Sequence, residues 1–299
     1  MLPWVARPLE PVAEEVGVAV IPRETPVPSV LRDAVRRWRE HGEPQQRASR
    51  WSRGSWLKQF PGHHSFLSAL PDKIDRAETT RHAGNATTPE GAEQAFLVAM
   101  IWGYGPVGYG PWRTARVLTE NPHAADRLAE VAIVARDSGG LAAFRDLARE
   151  RLRYLGVAFG TKYLRFVTAA LSHDAAPILD AVVRRWLATH VGWSPNIDDW
   201  RPTVYEEYVA LLTSWSTELG LKADKVEQLI FGAAITREGS ALWSEQWANS
   251  DGSQPPARMA EAALLELERL FDTADPQRAS EARHHLDELA RLIRLGWAD

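Results

Sequence analysis

The stretch from Leu152 to Leu187, LRYLGVAFGTKYLRFVTAALSHDAAPILDAVVRRWL, constrains the fold more than any other part of the chain. Its apolar spacing predicts a helix ending at Leu155 and a tight turn over Gly156, Val157 and Ala158. A second helix follows with Leu164, Val167 and Leu171 on one face, and a short loop then delivers Asp180 to the start of a third helix. A turn of small residues lets backbone approach backbone. The free amide hydrogens at the following helix N-terminus, together with its dipole, favour an anion there. Taken singly, each feature has a plainer reading, a glycine helix cap for the turn and an N-cap for Asp180.

Helical patterning extends over most of the chain. A helix starts at Ser29 or the residue before it, with Leu31, Val35 and Trp38 at helical spacing. Another runs from Thr88 to Gly103 behind the cap sequence Thr-Pro-Glu, its apolar positions including Ala92, Phe96, Ala99 and Met100. Residues 111–154 read as three helices, the last two separated by Gly139-Gly140. Thr203–Leu219 carries Tyr205, Tyr208, Val209, Leu212 and Trp215 on one broad face, and Lys222–Ala234 carries Val226, Leu229, Ile230 and Phe231. No alternating strand pattern of useful length occurs, so the fold class is all-α. Residues 1–27 read as an extended Pro-rich arm and 28–247 as the main helical domain. Residues 248–299 read as a linker, ANSDGSQPP, followed by a C-terminal helical hairpin.

Composition narrows the partners. A net charge of −4 argues against indiscriminate coating of nucleic acid, yet charge is uneven. Six Arg or Lys face two acids between Phe144 and Phe166, and eight face three between Leu31 and Lys58. The basic segments therefore include the hairpin. The absence of cysteine excludes a disulfide framework, a thiolate zinc site and an iron–sulfur cluster. No run of eighteen apolar residues suggests a membrane span, and MLPWVARPLEPVAEE lacks a signal-peptide core, so a cytoplasmic location without membrane contact is expected.

Two aromatic segments stand out. In QQRASRWSRGSWLKQFPGHHSFLSALP, aromatics lie among Arg50, Arg53 and Lys58, which suits contact with bases and backbone as well as packing at the core edge. His63 and His64 have no acidic or thiol ligand cluster beside them, which disfavours zinc. From Trp102 to Arg113 four glycines alternate with four aromatics, without the Gly-Lys-Ser/Thr of a phosphate loop. This stretch reads either as a shaped loop at a pocket mouth, where Trp102, Tyr104, Tyr109, Trp112 and Arg113 could hold an extruded base, or as a rigid turn stapled to the core.

Leu155-Gly156-Val157-Ala158, the helix holding Gly160-Thr161-Lys162, the loop Ala176-Pro177-Ile178-Leu179 and Asp180 together resemble the core of the helix-hairpin-helix DNA glycosylases. That motif runs hydrophobic-x-Gly-hydrophobic-Gly, then a helix, a Pro-containing loop and an essential Asp. Closest in pattern is the bacterial group with an 8-oxoguanine-glycosylase-like fold. The resemblance implies a helix-hairpin-helix glycosylase-like domain that works without cofactor or metal on double-stranded DNA carrying a modified base. It places Gly156, Val157, Ala158, Gly160, Thr161 and Arg165 against DNA and makes Asp180 catalytic. Lys162 sits in a local sequence like that of the lysine which attacks the sugar in bifunctional members. One hairpin glycine is present rather than two, however, and strict counting puts Ala158 or Gly160 at that position.

The expected activity is hydrolytic excision of a modified base, leaving an abasic site, with lyase activity as the lesser alternative. The resemblance leaves the substrate open between an oxidised purine and the bulky modified cytosines of phage DNA, a phage-defence role. A non-catalytic DNA-binding module is the competing reading. It gives Asp180 no duty beyond capping. An all-helical scaffold is a third, and it predicts no salt-dependent DNA binding.

Overall fold

The computed structural model describes residues 25–171 and 174–235. Residues 1–24 of the expected arm, the end of the expected main domain after residue 235, and the linker and C-terminal helical hairpin lie outside the described residues.

Helical spacing buries Leu31, Ala34, Val35 and Trp38 on one side of α1 (Ser29–Glu40). The next segment, which the sequence presents as irregular, folds as β1 (Ser49–Arg50), α2 (Arg53–Gln59), a single 3-10 turn (Pro61–His63) and α3 (His64–Ala69). Arg53 explains this order. Its guanidinium donates to the carbonyls of Leu67, Ser68 and Leu70, closing the two short helices on each other. Trp51 and Trp56 are both buried, and His63 Nε2 bonds Glu93 Oε1 at 3.0 Å. A two-residue antiparallel ladder joins β1 to β2 (Lys73–Ile74), too short for any alternation to reveal it.

The remaining elements are α4 (Arg76–Ala83), α5 (Pro89–Tyr104), α6 (Gly110–Thr119), α7 (Ala124–Arg149), α8 (Val157–Ala170), α9 (Ala181–Val191), α10 (Pro202–Leu219) and α11 (Ala223–Ile235). Thr88 caps α5 by accepting the Gly91 amide, and nearly the whole of this apolar helix is buried. It packs against α4, α6, α7 and α8, while α9, α10 and α1 gather around α11. Loss of a fully buried side chain such as Phe96 is expected to cost about 3–5 kcal/mol.

Three boundaries differ from the sequence expectation, the first being the turn expected over Gly156, Val157 and Ala158, which closes at Gly156 because Val157 already begins α8. Gly139, at φ +79°, kinks α7 between its halves as expected, but the second half ends at Arg149 rather than Leu155. Arg127 is the reason: its Nε takes the Glu150 carbonyl at 3.2 Å, the group a continuing helix would use itself. The glycine-and-aromatic stretch is also less of a loop than expected. Trp102 and Tyr104 finish α5, Trp112 and Arg113 begin α6, and only residues 105–109 connect them.

Candidate active site

Asp180 is delivered by a loop that is fixed at four successive residues. The Ala176 amide donates to Thr168 Oγ1 at 2.8 Å and the Leu179 amide to Thr161 Oγ1 at 3.1 Å. Tyr205 and Tyr208 donate their hydroxyls to the Pro177 and Ile178 carbonyls at 2.8 and 2.7 Å. The aromatic face of α10 is therefore core, and its polar tips also set the position of a carboxylate. Asp180 Oδ1 accepts the Val182 and Val183 amides, both at 3.1 Å, as the N-cap of α9.

Its other oxygen, Oδ2, accepts from Lys162 Nζ at 2.9 Å, and both side chains are buried. The cap reading and the site reading of Asp180 thus use different oxygens and hold together. Burial opposes ionisation of Asp180, but the adjacent Lys162 ammonium and the Val183 and Val182 amides prevail and hold its pKa below the ordinary carboxylate value. Lys162 reaches this point by passing Gly103 on α5, where an added Cβ would stand 2.9 Å from the lysine Cδ. The ammonium also lies 5.2 Å from the centre of the Phe159 ring, which itself stacks on Tyr104 at 4.2 Å.

Lys162 and Asp180 open on a cavity of about 380 Å³. Trp102, Tyr104, Ile178, Phe231, Arg76 and Glu227 are among its lining residues, with Gln46, Arg47 and Arg50 along the edge near β1. Such a volume is in the range of small-ligand sites. Glu227 is 1% exposed and its Oε2 has no hydrogen-bond partner, although Arg76 Nη1, likewise unsatisfied, stands 3.5 Å away. Burial drives the Glu227 pKa up to about 7; Arg76 and Arg165 pull against this, while Asp180 and Asp224 add to it. Arg76 Nε donates to Gln46 Oε1 at 2.8 Å, and its guanidinium lies 4.9 Å from the centre of the Trp102 ring. A buried carboxyl and a partly buried guanidinium, each with an unsatisfied buried atom beside the cavity, can read a polar ligand.

Neither Arg76 nor Glu227 was anticipated. The segment between Pro71 and Thr88 carries no assigned element in the sequence reading, so Arg76 had no place to stand. Glu227 did leave a signal: it interrupts the apolar arc of Val226, Leu229 and Ile230, and a charge on a buried arc marks a buried charge.

The other expected site residues are dispersed. Trp102 and Tyr104 line the cavity, but Tyr109 and Trp112, each 55% exposed, and exposed Arg113 do not. On the hairpin, Gly156 is the N-cap of α8 and is exposed, with Val157 and Ala158 in the first turn. Gly160 is placed differently from expectation. Its amide donates to Gly156 O at 2.9 Å, and a Cβ there would meet Trp200 at 2.2 Å, so it is a packing glycine. Thr161 points inward to the loop, and Arg165 pairs with Asp224 at 2.8 Å within the fold. Among the described residues, no three His, Asp or Glu side chains converge as metal ligands, and no helix is long and apolar enough to cross a membrane.

No curated protein and no solved structure matches the chain. A family model described as "putative 8-oxoguanine DNA glycosylase OGG-like protein" matches residues 42–231, more than half of the chain and all of the site just built. A hairpin, a pinned loop and a buried lysine–carboxylate pair at a cavity thus lie in an all-helical member of the OGG-like DNA glycosylase family, to which this chain belongs.

Proposed function

We propose that the chain excises an oxidised purine from double-stranded DNA with Lys162 as the nucleophile and Asp180 as the group that activates it. The observation that carries this reading is the 2.9 Å Lys162–Asp180 pair in the wall of the cavity. The duplex would be gripped at the first turn of α8, whose Val157, Ala158 and Phe159 amides have no acceptor within the helix. The target base leaves the stack, at a cost of a few kcal/mol, and enters the cavity. There the Glu227 carboxyl meets its ring and amino N–H donors, Arg76 its carbonyl oxygen, and Trp102 or Tyr104 its face. The Watson–Crick edge of an oxidised guanine, two donors beside a carbonyl, fits that pair.

In the reaction, the Asp180 carboxylate takes a proton from the Lys162 ammonium, and the freed Nζ lone pair attacks C1′. The C1′–N bond breaks, its electrons leave with the base, and the base takes up a proton. That proton comes from Asp180, and the carboxylate thus ionised again stabilises positive charge on the sugar. Ring opening gives a Schiff base, from which loss of a C2′ proton forms a C2′–C3′ double bond as the C3′–O bond breaks and the 3′-phosphate leaves, cleaving the strand. A purely hydrolytic enzyme was expected because counting from the hairpin put residue 158 or 160 at the nucleophile position. Lys162, and not either of those, is the residue hydrogen-bonded to Asp180. One observation keeps hydrolysis as a second reading: the Lys162 ammonium holds Asp180 ionised, which a carboxylate that orients water also requires.

Borohydride added to the protein on a duplex carrying 8-oxoguanine should trap a covalent adduct, and Lys162→Gln should trap none. Released base is measured alongside by mass spectrometry. Undiminished release by Lys162→Gln would transfer the chemistry to water and Asp180. Release by neither protein, across duplexes with oxidised purines and bulky modified cytosines, would end the glycosylase reading.

A further inference from the structure

Four large apolar side chains are well exposed among the described residues, and three of them, Tyr109, Trp112 and Tyr154, belong to one strip. The strip starts at the cavity, where Tyr109 meets the edge of Tyr104 at 5.6 Å. It continues along the outer face of α6 through Trp112 and Arg113 to Arg116, following helical spacing. The Arg116 guanidinium lies 3.7 Å from the Tyr154 ring centre and 5.1 Å from that of Trp112. Tyr154 stands two residues before Gly156, so the strip ends at the hairpin.

The exposure of Tyr154 is built in. Its backbone sits at φ +68°, which L-residues with side chains rarely adopt, and the Asn121 side chain brackets its neighbour by bonding Arg153 N at 2.9 Å and O at 3.1 Å. Among the described residues, Arg113, Arg116 and Arg153 form no ion pair with a carboxylate. Aromatic faces interleaved with uncompensated cations match nucleobases on a phosphate backbone. In a closed duplex, base faces are covered by their neighbours and have nothing to give an exposed ring. We infer that this strip binds an unpaired DNA strand running from the hairpin to the cavity, so that the protein engages single-stranded or locally melted DNA. The inference rests on the proposed hairpin grip for the direction of the strand, not for the stacking.

The test uses the full chain and short unmodified oligonucleotides, single-stranded and duplex, with binding followed by fluorescence anisotropy at two salt concentrations. Wild type should bind the single strand at least as tightly as the duplex. The double variant Trp112→Ala/Tyr154→Asn, in which Asn suits the left-handed backbone, should bind the single strand about tenfold more weakly or worse, with duplex binding changed less than about twofold. Trp112→Ala alone, a truncation on an exposed helix face, should give a smaller loss in the same direction should the double variant fail to fold. Unchanged single-strand binding, an equal loss on both forms, or no DNA binding by wild type would overturn the inference, the last favouring a polypeptide partner. Single-strand preference without base release from any modified DNA would leave it standing and remove the excision reading instead.

Discussion

Helices α8 and α9 follow one another across a single loop, and their N-termini are satisfied in opposite ways. That of α9 is closed from inside: Asp180 covers the Val182 and Val183 amides and keeps a buried charge against Lys162. That of α8 has Gly156 as its N-cap, no side-chain cap and no acidic residue in its first turn. The same backbone dipole is thus answered by the chain's own carboxylate in one case and by no side chain of α8 in the other, the end at which the proposed function seats a phosphate. In the proposed function, binding and chemistry are separated by one helix, and substitutions at the two ends should separate them experimentally.

The largest effect is expected at α9. Asp180→Asn keeps an oxygen over the two amides but deletes the charge, so base release should fall on the order of 10²–10³-fold or more while DNA binding changes little and the melting temperature falls, because the buried Lys162 ammonium loses its partner. Release at the wild-type rate would reduce Asp180 to a cap and erase the contrast. At α8 the sign reverses. Ala158→Asp supplies the missing anion from within, which should stabilise the helix by about 0.3–1 kcal/mol while weakening DNA binding several-fold and flattening its salt dependence. Unaltered DNA affinity with the gain in stability would show that α8 is not the grip.

A smaller effect distinguishes the two carboxyls of the cavity, which are shifted in opposite directions. The Asp180 pKa is lowered in the fold, so its contribution to stability is present above the unfolded value and disappears as pH falls through the folded one. Glu227 is raised to about 7, so its neutral form fits the fold; that contribution is present at low pH and is lost as pH rises through about 7. Glu227→Gln, neutral at every pH, should therefore remove a loss on the order of 1 kcal/mol between pH 6 and 8, measured as the difference between wild-type and variant denaturation midpoints. His63, its pKa raised by its bond to Glu93, is common to both proteins and cancels in that difference. Parallel curves would place Glu227 outside the titrating cavity.

The sequence by itself determined the helical class, most helix boundaries and the hairpin-to-Asp180 order, because these rest on local periodicity, caps and glycine chemistry. Thr88 before Pro89, the kink at Gly139 and Asp180 at the head of α9 are all set by residues within a few positions of each other. Only the tertiary structure decided which groups share the cavity. Arg76 and Glu227, far apart in the chain, meet at 3.5 Å, and Lys162 reaches Asp180 because Gly103 of another helix leaves room for its stem. The tertiary structure also divided the aromatics of the Trp102–Trp112 stretch, sending Trp102 and Tyr104 inward and leaving Tyr109 and Trp112 outside. Spacing fixes the face of a helix on which a residue lies. Whether that face meets a neighbour, a cavity or water depends on partners distant in sequence, and no local pattern encodes them.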